Sequence, residues 1–231
     1  MTTKTLLLVT FILCAALHSR AQTADEVIEK YLLAIGGKAR LDSIHSIYME
    51  GVSSTDNGNE LQYKIYRVKD RLLRREVSSG TITNITIVTP KEGWASDRLN
   101  AGAYNTLPQD QVNARQYELE CISPLLDYQK KMYTAKFSGT EVIAGNPAYK
   151  IELNLDAGQV FTYFIDWKTN LLVRETRLGK GETTPVVVEY GNYKQHAGGC
   201  FFPMYITGRL GIVEITKLEV NVVVDGKLFR P

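Results

Sequence analysis

Residues able to carry out chemistry are few in this chain, and they are scattered. Beyond residue 21 there are two histidines, His45 and His196, and neither has a second metal-type ligand at a useful spacing. No His-Glu-x-x-His or Cys-x-x-Cys occurs, so zinc chemistry has no framework. A serine nucleophile on a strained turn would need Gly-x-Ser-x-Gly, which is absent. Gly36-Gly37-Lys38 lacks the upstream glycine and the following Ser or Thr with which a phosphate loop holds phosphate and magnesium. Paired carboxylates could do acid-base work, but Glu26 is placed to cap a helix, and Glu118 and Glu120 stand two apart on a helical pattern and do not face one another. Cys121 and Cys200 are far apart and suit either buried thiols or one disulfide. The expectation is no catalytic residue, no metal and no cofactor. A hydrolase stays open only as a third reading, with His45 or His196 beside a serine, cysteine or carboxylate.

The elements that would position any site begin with the compartment. Lys4 precedes an apolar run over residues 6–17, and Ser19 and Ala21 put small side chains where a signal peptidase needs them. Residues 1–21 therefore read as a signal peptide, and 22–231 as one exported domain with no linker or repeat inside it. The run is short of the ~20 residues that span a bilayer, so no transmembrane helix is expected after cleavage. Loss of Lys4 and Arg20 takes 27 bases to 25, equal to the 25 acids. A neutral chain lacks the clustered charge that nucleic acid or an anionic membrane requires. The basic piece at 71–75 reads as a solvated strand edge.

Thr23-Ala24-Asp25-Glu26 is a capping box, Val27, Ile28, Tyr31, Leu32 and Ile35 follow at helical spacing, and Gly36-Gly37 supplies a stop. β-type segments then run over 44–52, 61–68, 72–78 and 82–88, with turn residues between them, the first at 56–59. Residues 108–132 carry a helical pattern broken at Pro124, which predicts two short helices with Ser123 capping the second. Strands resume at 134 and continue over 148–155, 160–166, 171–177, 186–193, 202–207 and 212–222. Short turns make consecutive strands antiparallel neighbours. The fold class is therefore α+β and β-dominated: a large curved antiparallel sheet of about ten strands, a half barrel covered by the N-terminal helix and the mid-chain helical pair.

Along 149–155, Tyr149, Ile151, Leu153 and Leu155 alternate with Lys150, Glu152 and Asn154, giving one apolar and one wet face. Phe161, Tyr163 and Ile165 share a strand with Val160 and Phe164, so both of its faces should be covered. Such a concave sheet encloses more volume than its own side chains fill. Tyr149, Ile151, Leu153, Phe161, Tyr163 and Tyr190 are the candidate cavity walls, and Trp167 is a candidate rim residue.

Four strings carry a family likeness: Ala24-Asp25-Glu26-Val27-Ile28 through Ala34-Ile35-Gly36-Gly37-Lys38, Ser123-Pro124-Leu125-Leu126-Asp127-Tyr128, Tyr163-Phe164-Ile165-Asp166 with Lys168-Thr169, and Leu218-Glu219-Val220-Asn221. On these the chain resembles the outer-membrane lipoprotein-sorting-like proteins of Bacteroidetes envelopes, relatives of the periplasmic lipoprotein carriers. It departs from that pattern at Pro90-Lys91-Glu92-Gly93-Trp94 and at Cys200. The resemblance implies a non-enzymatic half barrel in the periplasm or on the periplasmic face of the outer membrane, binding lipid or lipoprotein acyl chains. The rival expectation is an interaction module with a filled core that docks an envelope protein partner.

Overall fold

The computed structural model describes residues 22–54, 60–97, 99–100, 102–156, 158–196, 198–208 and 211–231. The expected signal peptide at 1–21 and the expected turn at 56–59 lie outside the described residues.

Helix α1 (Ala24–Ala34) starts at the capping box. Thr23 Oγ1 accepts from the Glu26 amide at 3.2 Å, and the Thr23 amide donates to the Glu26 carboxylate at 3.3 Å. The end of the helix is set by Gly37, whose φ of 84° brings its amide back to the Leu32 carbonyl at 2.8 Å. A short helix, α2 (Lys38–Asp42), leads into the sheet.

The first run of strands is β1 (Ser46–Ser54), β2 (Glu60–Val68), β3 (Leu72–Ser79), β4 (Ile82–Val88), β5 (Gly93–Ser96) and β6 (Tyr104–Thr106). The second run is β7 (Thr134–Ile143), β8 (Asn146–Asn154), β9 (Val160–Asp166), β10 (Leu172–Leu178), β11 (Val186–Gln195), β12 (Phe201–Gly208) and β13 (Gly211–Val220). All thirteen belong to one sheet in the order β6-β5-β4-β3-β2-β1-β13-β12-β11-β10-β9-β8-β7. The chain meanders outward from β1, crosses to the far edge, and meanders back until β13 lies against β1, with Ile47 opposite Val220 and Val52 opposite Glu214.

That order explains the cover. Strands β6 and β7 are consecutive in sequence, yet they form the two edges of an unclosed curved sheet. The segment joining them, 107–133, must therefore cross the mouth of the half barrel. It does so as helix α3 (Gln109–Ala114), a 3₁₀ turn at Gln116–Leu119, and a chain of turns.

Two expectations need correction. Among the described residues the strands number thirteen, because β5 and β6, four and three residues long, are too short to leave an alternating pattern. The second mid-chain helix does not form. Ser123 Oγ accepts from the Leu125 amide at 3.2 Å in a tight turn, and Asp127 and Met132 adopt φ of 61° and 58°, values no right-handed helix contains.

The main core lies between α1 and the sheet. Val27, Ile28, Tyr31 and Leu32 meet Ile151, Leu153, Phe161, Tyr163 and Ile165, with Leu125 and Leu126 closing one side. On the outer face of the sheet, Ile143, Ala148 and Phe164 form a small second layer, so both faces of β9 are covered as its sequence predicts.

Candidate functional site

A cavity of about 470 Å³ opens on the concave face, away from the part that α1 fills. Its floor is built from alternate positions of adjacent strands. Met49 and Gly51 of β1 are followed by Tyr63, Ile65 and Arg67 of β2 and by Arg75 and Val77 of β3. Beyond β1, Val213 and Ile215 of β13, Ile206 of β12 and Val188 and Tyr190 of β11 continue it, and Glu175 and Arg177 of β10 close it. Cross-strand pairing sets the neighbours: Met49 is opposite Ile65, Tyr63 opposite Val77, and Glu175 opposite Val188. The roof is the crossing segment, from Tyr117 to Pro124.

Gly51 shows why the floor is smooth at its centre. It sits at a bulge where the β1–β13 register shifts, and a Cβ there would lie 2.9 Å from both the Glu214 carbonyl oxygen and Val213 Cγ1. Only glycine lets the two strands approach so closely.

The polar lining is paired almost throughout. Glu118, 7% exposed, receives the Arg75 guanidinium on one oxygen and Arg115 on the other, the latter at 3.2 Å. Burial pushes the Glu118 carboxyl up, but the Arg75 and Arg115 charges outweigh it and hold the group below the usual carboxylate range. On the opposite wall Arg177 donates to Glu175, and Tyr190 donates its hydroxyl to the other Glu175 oxygen at 3.0 Å. The Arg177 guanidinium also lies 5.2 Å from the Tyr117 ring centre and 5.5 Å from that of Phe161, two cation–π contacts with rings that themselves meet edge-to-face at 4.7 Å. Burial works against the Arg177 charge, yet Glu175, Tyr190 and Tyr117 raise it well above the ordinary value. Burial also pushes the Tyr190 hydroxyl up, so it stays a donor. Glu120 is met by Lys131.

The six expected wall residues divide. Phe161 and Tyr190 border the cavity. Ile151, Leu153 and Tyr163, each 0% exposed, lie in the packed core, and Tyr149 flanks it. The physical reason is the position of α1, which fills the concave face over β8 and β9 and leaves the space over β1–β3 and β10–β13. Trp167 is exposed in the turn after β9, outside the cavity lining.

Arg75 also corrects the reading of 71–75 as a solvated edge. β3 is an interior strand of the sheet and Arg75 faces the cavity, while Arg74 on the other face pairs with Glu76 at 2.6 Å. The signal missed in the sequence was a charge placed within an apolar alternation: Tyr63, Ile65, Arg67 on β2 and Leu73, Arg75, Val77 on β3.

His45 is exposed ahead of β1, and His196 Nε2 lies 3.2 Å from the Met204 sulfur with its ring edge-on to Phe202. Cys121 and Cys200 are free, buried thiols. Burial pushes the Cys121 thiol up to about 11, although nearby Arg67 draws it down. Among the described residues no three His, Cys, Asp or Glu side chains gather as a metal site would require.

Known proteins place the architecture. A LolA superfamily protein from Nitrosomonas europaea superposes with a TM-score of 0.57 at 11% identity, over 91% of this chain and 99% of that one. The chain shares the half-barrel fold of that protein. A domain from Vibrio parahaemolyticus named for outer membrane lipoprotein sorting matches with a TM-score of 0.54 at 12% identity, over 89% of this chain and 97% of that one. A DUF1329 family protein from Desulfovibrio piger gives 0.59 at 9% identity, over 91% and 98%. No family model matches the sequence, and no curated protein matches it. At such identities these likenesses show the fold alone.

Proposed function

We propose that the mature chain, residues 22–231, is a single-domain envelope protein that binds the acyl chain of a lipid or lipoprotein in its half-barrel cavity and does no chemistry on it. Outer-membrane lipoprotein sorting from the periplasm is the role this reading favours. The observation that carries it is the unfilled space of about 470 Å³ whose floor is aliphatic across six strands, from Val77 through Ile65, Met49, Ile215 and Ile206 to Val188. That volume lies within the ~300–1,000 Å³ of small-ligand sites. Moving an acyl chain from water onto such a floor is favourable by about 0.8 kcal/mol per buried methylene. An interaction module with a filled core, the rival reading, has no use for this space.

The test is a fluorescent fatty-acid probe titrated into delipidated protein, alongside native mass spectrometry of protein recovered from its own envelope fraction. Saturable binding, competed by unlabelled acyl chains and abolished by Val188→Phe, supports the reading. Protein that is repeatedly recovered empty and ignores the probe rules it out.

A further inference from the structure

Arg67 stands apart from every other charge at the cavity. It lies on β2 two residues past Ile65, on the same face, opposite Leu73 and Ile47 on the neighbouring strands. Its side chain keeps some accessible area because it borders the cavity, but protein encloses its guanidinium. Its Nε is buried with no hydrogen-bond partner among the described residues. The other charged groups there are taken: Glu118 holds Arg75 and Arg115, Glu175 holds Arg177, Glu120 meets Lys131, and Glu50 accepts from Tyr48. Glu118 is close enough to favour the Arg67 charge, yet both of its oxygens are already engaged.

A buried guanidinium without an acceptor is costly, because a charge removed from water needs both an opposite charge and hydrogen bonds. Desolvation and the neighbouring Arg75 charge both work against the Arg67 charge and lower its pKa. A guanidinium keeps its charge in proteins, so the buried group lacks a counter-charge. A planar fork of donors fits the two oxygens of a carboxylate or phosphate. The available volume limits what can bring them. At about 470 Å³ the space is the size of a site for one small ligand, which favours one acyl chain over several.

We infer that the cavity takes a single-chain anionic amphiphile, its oxyanion bound by Arg67 and its chain laid along the aliphatic floor over β1, β13 and β12. This rests on the acyl-binding reading above and adds the ligand's head group and chain number to it. The Arg67 head-group site and the chain site are separable, so each can fail alone.

The experiment compares sodium palmitate, methyl palmitate and inorganic phosphate, each displacing a fluorescent acyl probe from wild-type protein and from Arg67→Met and Arg67→Lys. The expected result is palmitate binding at least about tenfold tighter than its ester, the worth of one charge-assisted contact. In Arg67→Met the two should bind within about twofold of each other. Arg67→Lys, which keeps charge but loses the fork, should lie between them and guards against a folding defect in the methionine variant. Equal binding of acid and ester by wild type overturns the head-group site while leaving the acyl cavity standing. Failure of both to displace the probe overturns the two readings together. Phosphate binding that depends on Arg67, with no gain from the chain, makes this a free-anion site and overturns the amphiphile.

Discussion

The concave face of one sheet contains two regions that its residues treat in opposite ways. Over β8 and β9, Ile151, Leu153, Phe161 and Tyr163 meet the apolar stripe of α1, and the space is closed. Over β1–β3 and β10–β13 the side chains are equally apolar in type, but no helix fills the gap and charged pairs stand at its margins. Tyr31 and Phe161 border both regions, so the change happens within one side chain's width. The half barrel thus needs one helix to hold it together, and it keeps the remaining curvature as usable volume. In the closed region stability comes from burial, whereas in the open one it comes from pairing charges that the cavity would otherwise leave bare.

The largest effects should separate the two. Leu153→Ala removes a side chain with no exposure from the closed region and should cost about 2–5 kcal/mol in urea unfolding, with little change in probe affinity once folded. Probe affinity falling as steeply as stability would mean the regions are one. Glu175→Gln acts on the open region by withdrawing the counter-charge of Arg177. The Arg177 side chain is 31% exposed, so the penalty should fall at the low end of that for a buried pair, roughly 3 kcal/mol, and probe affinity should change as well.

Val188→Phe should have a much smaller effect on stability, under about 1 kcal/mol, because its ring enters space that nothing occupies. It should nonetheless block the probe. A stability loss like that of Leu153→Ala would show that the space is tighter than its volume implies. In the closed region, Thr23→Ala removes the cap of α1 and should cost about 1 kcal/mol without altering the probe.

How much of this the sequence carried follows the same division. The capping box, the Gly36-Gly37 stop and the Tyr149-to-Leu155 alternation are local signals, and each marks an element that forms where it falls. The candidate walls Ile151, Leu153 and Tyr163 of β8 and β9 went to the core because alternation says which face is apolar and not what covers it. That depended on α1 docking over those two strands, a contact between residues more than a hundred positions apart. Arg67, Arg75, Glu175 and Arg177 were missed for a related reason: each charged residue read singly looks like solvated surface. Their strand parity, shared with Ile65, Val77 and Val188, was the available clue. The mid-chain turns eluded the pattern because Asp127 and Met132 adopt left-handed backbone without being glycine.

Asp127 offers the finest test, since it ties the cover of the open region to the helical layer of the closed one. Its carboxylate meets Lys38 of α2 at 2.5 Å and Lys130 at 3.2 Å. The Lys38 hydrogen bond is the main cause that holds its pKa down at about 2. A carboxyl lowered on folding contributes stability that is fully present above its unfolded value of about 3.9 and is lost as pH falls through the folded one. Asp127→Asn keeps a residue that tolerates the left-handed backbone and removes only the charge. With Lys38 more than half exposed, the cost at neutral pH should be about 0.5 kcal/mol. The sharper readout is the slope of stability between pH 4 and pH 2, which should be shallower in the variant than in the wild type. Identical slopes would mean that the crossing segment is held by its apolar contacts at Leu125 and Leu126 alone, and that the two regions are joined by packing with no help from charge.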